Sequence, residues 1–307
     1  AGDRMKLQRL LGPGFVVSAA LILAVAANVR AQDEVVYHVT TAQSLDDLIE
    51  LIQLGTAPDP SPSSSDTAPV DRLPDGIDAS VAGVDRSRLK TDQFTFVRIS
   101  YSTSGRAMGN AWSVDYPEAD VNFSRYLAQL TGLDVDPAGR VLELTDPSLP
   151  DYPVIYLVEG GRLELSDAEA SVLRAYLLGG GFLIVDDFWG DLEWSVLAAQ
   201  MAKAFPDRAA IDVWPEHEIF YSYFALGTPP GVPSLVSLMN PEGPENFADA
   251  AFRGLVDDDG RLMALFLHNM DFGDAWEHAE DPRYPQELAW GGAIAMGVNA
   301  VIYALTH

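Results

Sequence analysis

Apolar positions along the chain follow two different periods from residue 93 onward. Residues 94–101 alternate apolar and polar side chains and are rich in β-branched and aromatic types, so they predict a first strand. Short apolar runs at 141–144, 154–158 and 182–185 predict three more strands, and the last run is uninterrupted, as in a strand covered on both faces. Between these runs, apolar residues recur every three or four positions, which is typical of amphipathic helices.

Capping and breaking residues mark the ends of the predicted helices. Residues 121–130 form one helix, with Asp120 as its N-cap. Ser166 and Glu169 have capping-box spacing at the start of a second helix, which Gly179 ends. The other predicted elements are a helix at 192–205, strands at 210–213 and 235–239, and a hairpin of 251–256 with 261–267. Strands that alternate with helices predict an α/β fold with a mainly parallel sheet and helices on both faces.

Residues 289–305 form an apolar segment that has two interpretations. Asn299 is its only strongly polar residue, and its small residues are of the kind that membrane helices place in contact. A membrane span needs about 20 apolar residues, and this segment is short for one. We therefore expect a buried helix that packs closely on the sheet.

The N-terminal residues have the pattern of a secretory signal peptide. Lys6 and Arg9 provide the positive region, residues 15–27 provide the apolar run, and small residues precede the expected cleavage point after Ala31. We expect residues 1–31 to be removed and the protein to be exported to the periplasm or the extracellular space. The alternative is an uncleaved membrane anchor, which would be the only expected contact with a membrane; a span needs about 20 apolar residues, more than this run offers.

Residues 32–92 are expected to be largely disordered. One short helix is predicted between Ser44 and Gly55. Residues 56–76 are rich in proline, serine and aspartate and have almost no apolar side chains to bury, which is typical of a disordered linker. We therefore place one folded α/β domain at residues 93–307.

Charge and composition exclude several classes of function. The 307 residues include 45 acidic and 19 basic side chains, for a formal net charge of −26, and this argues against nucleic acid because a phosphate backbone needs a basic surface. No cysteine is present, which excludes thiol catalysis, cysteine-ligated zinc, iron–sulfur clusters and disulfides. The usual nucleotide-binding and serine-hydrolase motifs are also absent, and no cofactor is expected.

Three polar segments follow predicted strands and should share the carboxyl edge of the sheet, where open α/β folds bind ligands. They are Tyr101 with the loop at 112–117, residues 186–191, and residues 268–276, and each joins carboxylates to a tryptophan. We expect these segments to converge on one cleft. The candidate ligand-binding residues are Tyr101, Trp112, Asp115, Asp186, Asp187, Trp189, His268, Asn269, Asp271 and Trp276.

Each candidate also has a structural interpretation. Asp186 and Asp187 are the candidates for catalysis, yet one of them is expected to bond the loop backbone instead. His268 and Asp271 would suit a metal together with Asp186, but their spacing matches no known motif, so no metal site is expected. The tryptophans offer either surfaces for stacking sugars or partly buried packing.

Five segments in order resemble one bacterial family. They are FVRISY, WSVDYPEADVNF, GGGFLIVDDFWG, NMDFGDAWE and GVNAVIYALTH, and together they span residues 94–307. This set resembles bacterial domain of unknown function 4159. The resemblance implies a flavodoxin-like three-layer α/β sandwich related to class I glutamine amidotransferases, in a family that is often exported or membrane-attached and has no assigned activity.

The resemblance also implies a missing activity. Amidotransferases of that fold place a cysteine nucleophile on the tight turn after a strand, whereas this chain has Asp186 and Asp187 after its 182–185 strand and no cysteine anywhere. The fold is therefore expected without cysteine-dependent glutamine hydrolysis, and fold alone supplies no other chemistry. Whether the protein is an enzyme stays open at this point.

Three functions agree with these observations. The first is a non-catalytic binding module for a polar, glycan-like ligand or for an envelope protein partner. The second is a carboxylate- or metal-dependent hydrolase acting on an envelope or sugar substrate, in which one acid stays protonated while another serves as base or nucleophile. The third is a structural or assembly protein of the envelope, with the linker as a tether.

Overall fold

The computed structural model describes Leu89 and residues 93–102, 111–228 and 231–307. The predicted signal peptide, the helix after Ser44 and the linker at 56–76 lie outside these residues. Leu89 is buried and belongs to the core on one face of the sheet, so packing extends a few residues before the boundary predicted at Gln93.

A seven-stranded sheet forms the centre of the described domain. Its strands are β1 (Val97–Ser100), β2 (Arg140–Glu143), β3 (Val154–Val158), β4 (Phe182–Phe188), β5 (Ile211–Asp212), β6 (Ala251–Val256) and β7 (Leu262–His268). They lie in the order β2-β1-β3-β4-β7-β6-β5. The first five in this order are parallel, and β6 and β5 are antiparallel additions at one side. The carboxyl ends of β1, β3, β4 and β7 therefore share one edge, as the sequence predicted.

Helices cover both faces of this sheet. They are α1 (Glu118–Thr131), α2 (Asp167–Leu178), α3 (Gly190–Ala204), α4 (Leu235–Met239), α5 (Phe272–Glu277) and α6 (Gln286–Thr306), the last with a π-helical stretch at Ala289–Ile294. Buried residues of α1, α5 and α6 pack on one face, which we call the first face, and those of α2 and α3 pack on the second. This arrangement is compatible with a three-layer α/β sandwich.

Neighbouring residues of each strand contribute to different cores. In β4, Phe182 and Ile184 belong to the first-face core, while Leu183 and Val185 belong to the second. Successive side chains of a strand point to opposite faces, so a strand covered on both sides is apolar throughout. The uninterrupted run in the sequence has this cause.

Strand order places a natural ligand position between β1 and β3. The five parallel strands follow the order second, first, third, fourth, fifth, which is the order of flavodoxin-like sheets. In such sheets, the crossovers on either side of the first strand diverge, and a crevice opens at the carboxyl ends of the first and third strands.

Both outer strands of the sheet are short and carry charge. β5 has two residues, both exposed, and Asp212 lies 3.6 Å from the Nε of Arg253 in β6. β2 begins and ends with the exposed residues Arg140 and Glu143. Neither strand therefore presents a long apolar edge.

Two local predictions are wrong. Residues 235–239 form the helix α4 instead of a strand, because the Ser234 hydroxyl accepts the backbone N–H of Ser237 and caps a helical turn. Asp120 is not an N-cap, since α1 begins at Glu118 and the Asp120 carboxylate is buried against Arg98. The mainly parallel sheet, the capping box at Ser166 and the β6–β7 hairpin are confirmed.

The C-terminal helix α6 is a core helix of this domain. Among the described residues it is the one helix long and apolar enough to cross a membrane, with a mean hydropathy of 1.6, yet 89% of that apolar window is buried inside the structure. Gly297 allows the close approach: a Cβ there would lie 2.6 Å from a ring carbon of Phe123 and 3.0 Å from one of Trp276. The predicted buried helix is confirmed.

Replacing Gly297 with leucine should destabilise the domain, because the side chain would overlap the Phe123 and Trp276 rings. Overpacking of this kind costs about 1–3 kcal/mol, or a fall of about 2–10 °C in Tm for a domain of this size. Gly291→Ala in the same helix is the matched control, since a Cβ at Gly291 meets nothing within 4 Å. Equal melting temperatures for the two variants would contradict the close packing.

Candidate functional site

A buried arginine in β1 organises the carboxyl edge on the first face. Arg98 is fully buried, and its Nε lies 2.9 Å and 3.0 Å from the two carboxylate oxygens of Asp120 in α1. Two charges removed from water require such direct pairing, because an unpaired buried charge is far more costly. The pair therefore fixes α1 against the central strand.

The same guanidinium also holds the loop that follows β1. Its Nη1 donates to the carbonyl oxygens of Trp112 and Val114, at 3.1 Å and 2.9 Å. Its central carbon lies 5.0 Å from the centre of the Tyr156 ring. Since Asp115 directly follows this anchored backbone, Arg98 determines where the Asp115 carboxylate lies.

Four carboxylates meet at this edge, and we call Asp115, Asp186, Asp271 and Asp274 the acidic site. Oxygen atoms of Asp115, Asp271 and Asp274 all lie within 4.8 Å of one another. Asp115 Oδ2 lies so close to Gly273 that a methyl group there would overlap it. Elements that are distant in sequence, the loop after β1, the end of β4 and the start of α5, therefore contribute to one site.

Asp186 is anchored by one of its two carboxylate oxygens. Its Oδ2 accepts hydrogen bonds from the Tyr156 hydroxyl at 2.6 Å, the Phe272 N–H at 2.8 Å and the Gly273 N–H at 2.9 Å. These bonds tie the end of β4 to the start of α5. One of the two β4 aspartates was expected to bond loop backbone, and Asp186 does so.

Two oxygen atoms of the acidic site have no partner. Asp115 Oδ2 and Asp186 Oδ1 are buried and form no hydrogen bond with any residue that the structure describes. The other two members have partners: Asp271 accepts the Asp274 N–H at 2.8 Å, and Asp274 accepts the Leu235 N–H at 2.6 Å with Oδ2, while its Oδ1 lies 3.6 Å from His278 Nε2. Buried carboxylate oxygens without a hydrogen bond are costly to the folded state.

Burial and mutual repulsion favour protonation of these groups. Burial, reinforced by Asp274 and Glu277, raises the pKa of Asp115 to about 8. Burial also raises the pKa of Asp186 to about 6, against its hydrogen bonds from Tyr156 and the backbone. For Asp271, burial and then Asp187 and Asp115 raise the pKa well above its ordinary value. The site therefore holds protons near neutral pH that a positively charged partner can displace.

Unusual backbone geometry is concentrated at the same edge. Among the described residues other than glycine, Asp115, Glu159, Asp187 and Asn269 have positive φ, between 52° and 59°. They lie after β1, after β3, at the end of β4 and after β7. Positive φ is uncommon outside glycine, and such residues are frequent at functional sites.

Asp187, Trp189 and Asn269 hold the turn between β4 and α3. Asp187 Oδ1 accepts the Trp189 indole N–H at 2.7 Å. Asn269 accepts the Gly190 N–H at 2.7 Å and donates to the Asp249 carbonyl at 3.1 Å. The Asn269 amide is thus used at both ends, and it positions loops at the rim of the acidic site.

His268 and Tyr101 belong to the second face and do not reach the acidic site. His268 lies two residues after Phe266 of the second-face core, its Nε2 is 3.1 Å from the Gly190 carbonyl oxygen, and burial lowers its pKa. The Tyr101 hydroxyl donates to the carbonyls of Val158 and Glu159 at 2.9 Å and 3.0 Å. The set of His268 with Asp186 and Asp271 is not formed, because His268 and Asp186 point to opposite faces of the sheet.

The three candidate tryptophans differ in exposure. Trp276 is fully buried, and its ring stacks on Phe123 at 4.3 Å and contacts Phe96 and Tyr156. It was expected to be available to a ligand, and this is wrong because its aromatic ring completes the first-face core. Trp112 and Trp189 are partly exposed, and Trp112 packs against the second-face core.

Sequence reasoning missed Arg98, Tyr156, Gly273 and Asp274. Arg98 had a detectable signal, since it is the charged residue at an inward position of an otherwise apolar strand. Asp274 follows Asp271 by three residues, the spacing of an N-cap and the backbone N–H it accepts. Tyr156 lies inside an apolar run that predicts only a buried strand, so the sequence does not indicate its hydrogen bond to Asp186.

Comparisons with known proteins agree with the sequence resemblance. The model of a family described as domain of unknown function (DUF4159) matches residues 95–305, more than half of the chain and all of the acidic site. A search of curated proteins gives no match.

Removing the partner of Arg98 should strongly destabilise the domain. Asp120→Ala leaves a buried guanidinium unpaired, which costs about 3–5 kcal/mol in the free energy of unfolding. Asp167→Ala is the matched control, an exposed acid in the first turn of α2. The double variant Arg98→Met with Asp120→Leu should recover much of the loss. Chemical denaturation measures all three, and an Asp120→Ala variant as stable as the control would contradict the argument.

Asp115→Asn should stabilise the protein in a pH-dependent way. Below about pH 4 this carboxyl is protonated in the folded and unfolded states alike, so the substitution changes little through charge. From there to about pH 8 the unfolded chain loses the proton while the folded chain keeps it, so the wild type loses stability as pH rises. Asparagine avoids this loss, and we expect Tm at pH 8 to rise by at least about 2 °C. A gain at pH 4 as large as that at pH 8 would contradict the pKa.

Proposed function

The chain belongs to the DUF4159 family, and from that premise we propose that its α/β domain is a non-catalytic binding module that holds a polar ligand at the acidic site. One observation carries the proposal: Asp115 and Asp186 each have a buried oxygen without a partner among the described residues, where Asp115, Asp271 and Asp274 meet and Asp186 adjoins them. A fold tolerates such a cost where a ligand offsets it, and perturbed carboxylates gathered at a sheet edge are typical of functional sites.

Carboxylates restrict the chemistry of the ligand. Ionised carboxylates only accept hydrogen bonds, so the ligand must bring hydroxyl or amine donors or positive charge. Trp112 in the loop after β1 and Trp189 directly after β4 are partly exposed, and an exposed aromatic face can contact the apolar side of a sugar ring. A glycan-like ligand, above all an amino sugar, combines these features. An envelope protein partner would instead insert a basic side chain.

The finer relationship of the fold also belongs to this proposal. We propose that the domain is related to class I glutamine amidotransferase-like folds, supported by its parallel strand order. The end of β4 has Asp186 and Asp187, whereas the enzymes have a cysteine on the turn after the corresponding strand, and this chain has no cysteine. We propose further that the domain acts outside the cytoplasm, on the basis of the N-terminal signal pattern.

A carboxylate- or metal-dependent hydrolase of envelope or sugar substrates is the second candidate. It is favoured by the different pKa values of Asp115, about 8, and Asp186, about 6, since an acid and a base of one site need different protonation states. It ranks second because Asp186 is fully buried and bonded to three donors, which leaves it fixed within the core.

Thermal shift with amino sugars, neutral sugars and peptidoglycan fragments tests the binding module. A ligand at 100 times its Kd stabilises the folded state by about 2.7 kcal/mol, or about 5–10 °C in Tm here. Asp271→Asn should abolish the shift and still fold, because asparagine also serves as an N-cap. Asp167→Asn, exposed on α2, should keep it.

Two outcomes would contradict the binding module, and one would change its ligand from a sugar to a protein. Cleavage of a fragment, seen by mass spectrometry, would establish the hydrolase instead. A shift with basic peptides and none with sugars would indicate a protein partner. The absence of any shift in folded wild-type protein, at millimolar ligand and at pH 6 and 8, would exclude a polar ligand at this site.

A further inference from the structure

We infer that the acidic site binds one divalent cation of the oxygen-preferring class, Mg²⁺, Mn²⁺ or Ca²⁺, through Asp115, Asp271 and Asp274. This inference rests on the proposed function, because it concerns the same acidic site. It adds the class of ion that would take part in ligand binding there. The ligand atoms of these three residues come from two separate parts of the chain and lie within 4.8 Å of one another.

This separation suits a single ion. Oxygen ligands lie about 2.0–2.1 Å from Mg²⁺ and about 2.3–2.6 Å from Ca²⁺. Two oxygens on opposite sides of the ion are therefore about 4–5 Å apart, and adjacent ones are closer. Three carboxylate oxygens within 4.8 Å fit on one such shell, with positions left for water or for a hydroxyl group of a ligand.

Asp186 provides an independent observation. Its side chain is fully buried, and Oδ1 has no hydrogen-bond partner among the described residues. Tyr156 and two backbone N–H groups of α5 fix the other oxygen, so the carboxylate cannot turn away without losing three bonds. Both Asp186 and Asp115 lie against Gly273, since Asp186 accepts the Gly273 N–H and Asp115 Oδ2 would overlap a methyl group there. A cation bound by Asp115 engages the free Oδ2 of that residue and offsets the negative charge of Asp186 beside it.

The donors indicate the class of ion. All metal-ligating groups of the acidic site are carboxylates. The chain has no cysteine, and His268 lies on the other face of the sheet. Zinc and copper sites use imidazole and thiolate, whereas carboxylate, carbonyl and water oxygens suit magnesium, manganese and calcium. Arg98, which holds the loop before Asp115, is already paired with Asp120.

A neighbouring group provides an internal control. Asp274, Glu277 and His278 also bring ligand atoms within 4.8 Å of one another, but all three are partly exposed. His278 Nε2 lies 3.6 Å from Asp274 Oδ1, and none of the three has an unpartnered buried atom. We therefore assign the ion to the inner group, and His278 can be changed without removing any of its carboxylates.

Calorimetric titration of the chelator-treated full chain with MnCl₂, MgCl₂ and CaCl₂ tests the site. We expect one saturable cation per chain for at least one of these metals, and at least about tenfold weaker binding in Asp115→Asn and Asp271→Asn. His278→Gln should bind within about twofold of the wild type, since it removes no carboxylate of the site. Folding of each variant is checked by circular dichroism.

Gly273→Ala is a second variant that keeps every carboxylate. It separates a loss of cation binding from a loss of folding caused by removing a carboxylate. Alanine favours a helix more than glycine does, but its methyl group overlaps Asp115 Oδ2 and lies 3.1 Å from the Tyr156 hydroxyl oxygen. We expect a folded protein with at least about tenfold weaker cation binding, because Asp115 is displaced.

Two results would overturn the cation site. One is a folded wild type that binds none of the three metals; the other is binding kept in Asp115→Asn and Gly273→Ala but lost in His278→Gln. Sugar binding measured with and without chelator separates this inference from the proposed function. If none of the metals binds and a sugar binds equally well in chelator, the cation site is wrong and the binding module stands. If a cation binds and no polar ligand does, the reverse holds.

Discussion

The buried ion pair of Arg98 with Asp120 is the constraint on which the arrangement of this edge depends. A guanidinium without solvent needs a full set of acceptors, and here a helix carboxylate and two loop carbonyls provide them. The arginine therefore joins the central strand, α1 and the loop before Asp115 in one polar contact. The first-face core surrounds that contact, and the Tyr156 ring packs against the guanidinium.

The acidic site follows from this anchoring and is costly by itself. The anchored loop places Asp115 next to Asp186, Asp271 and Asp274. These three lie together because the carboxyl ends of β4 and β7 meet the start of α5. Desolvation and like charge both oppose ionisation, and positive φ at Asp115 adds backbone strain. Folding stability alone does not favour an arrangement that combines desolvation, like-charge repulsion and backbone strain. Binding of a positively charged or donor-rich partner does, because it relieves several of them together.

Local patterns in the sequence predicted most of the fold. Period-two and period-four patterns, the capping box and the turn residues are local, and they fixed the strands and the helices α1 to α3. The segment 235–239 was missed because a five-residue apolar run has no period that separates a strand from a helical turn. Asp120 was misassigned because an acid near a helix start has the same local pattern whether it caps the helix or pairs with a buried arginine.

The sequence predicted which residues share the carboxyl edge of the sheet, because strand topology determines that, but not the face on which each side chain lies. Parallel strands bring their carboxyl ends to one edge, and this placed Asp115, Asp186 and Asp271 together from the sequence. The face of the sheet on which each side chain lies depends on register and on bulges, such as the irregularity in the pairing of β4 with β7. For this reason His268 and Trp276 were grouped with the carboxylates, although one lies on the opposite face and the other completes a core.

The short, charged outer strands have a consequence for how copies of this domain coexist. An open sheet edge is a template on which another chain can add a strand, and long apolar edges lead to aggregation. Here β5 offers two exposed residues, with Asp212 facing Arg253, and β2 has exposed charges at both ends. Copies crowded at high local concentration would therefore find only short, charged edges, which disfavour the addition of a further strand.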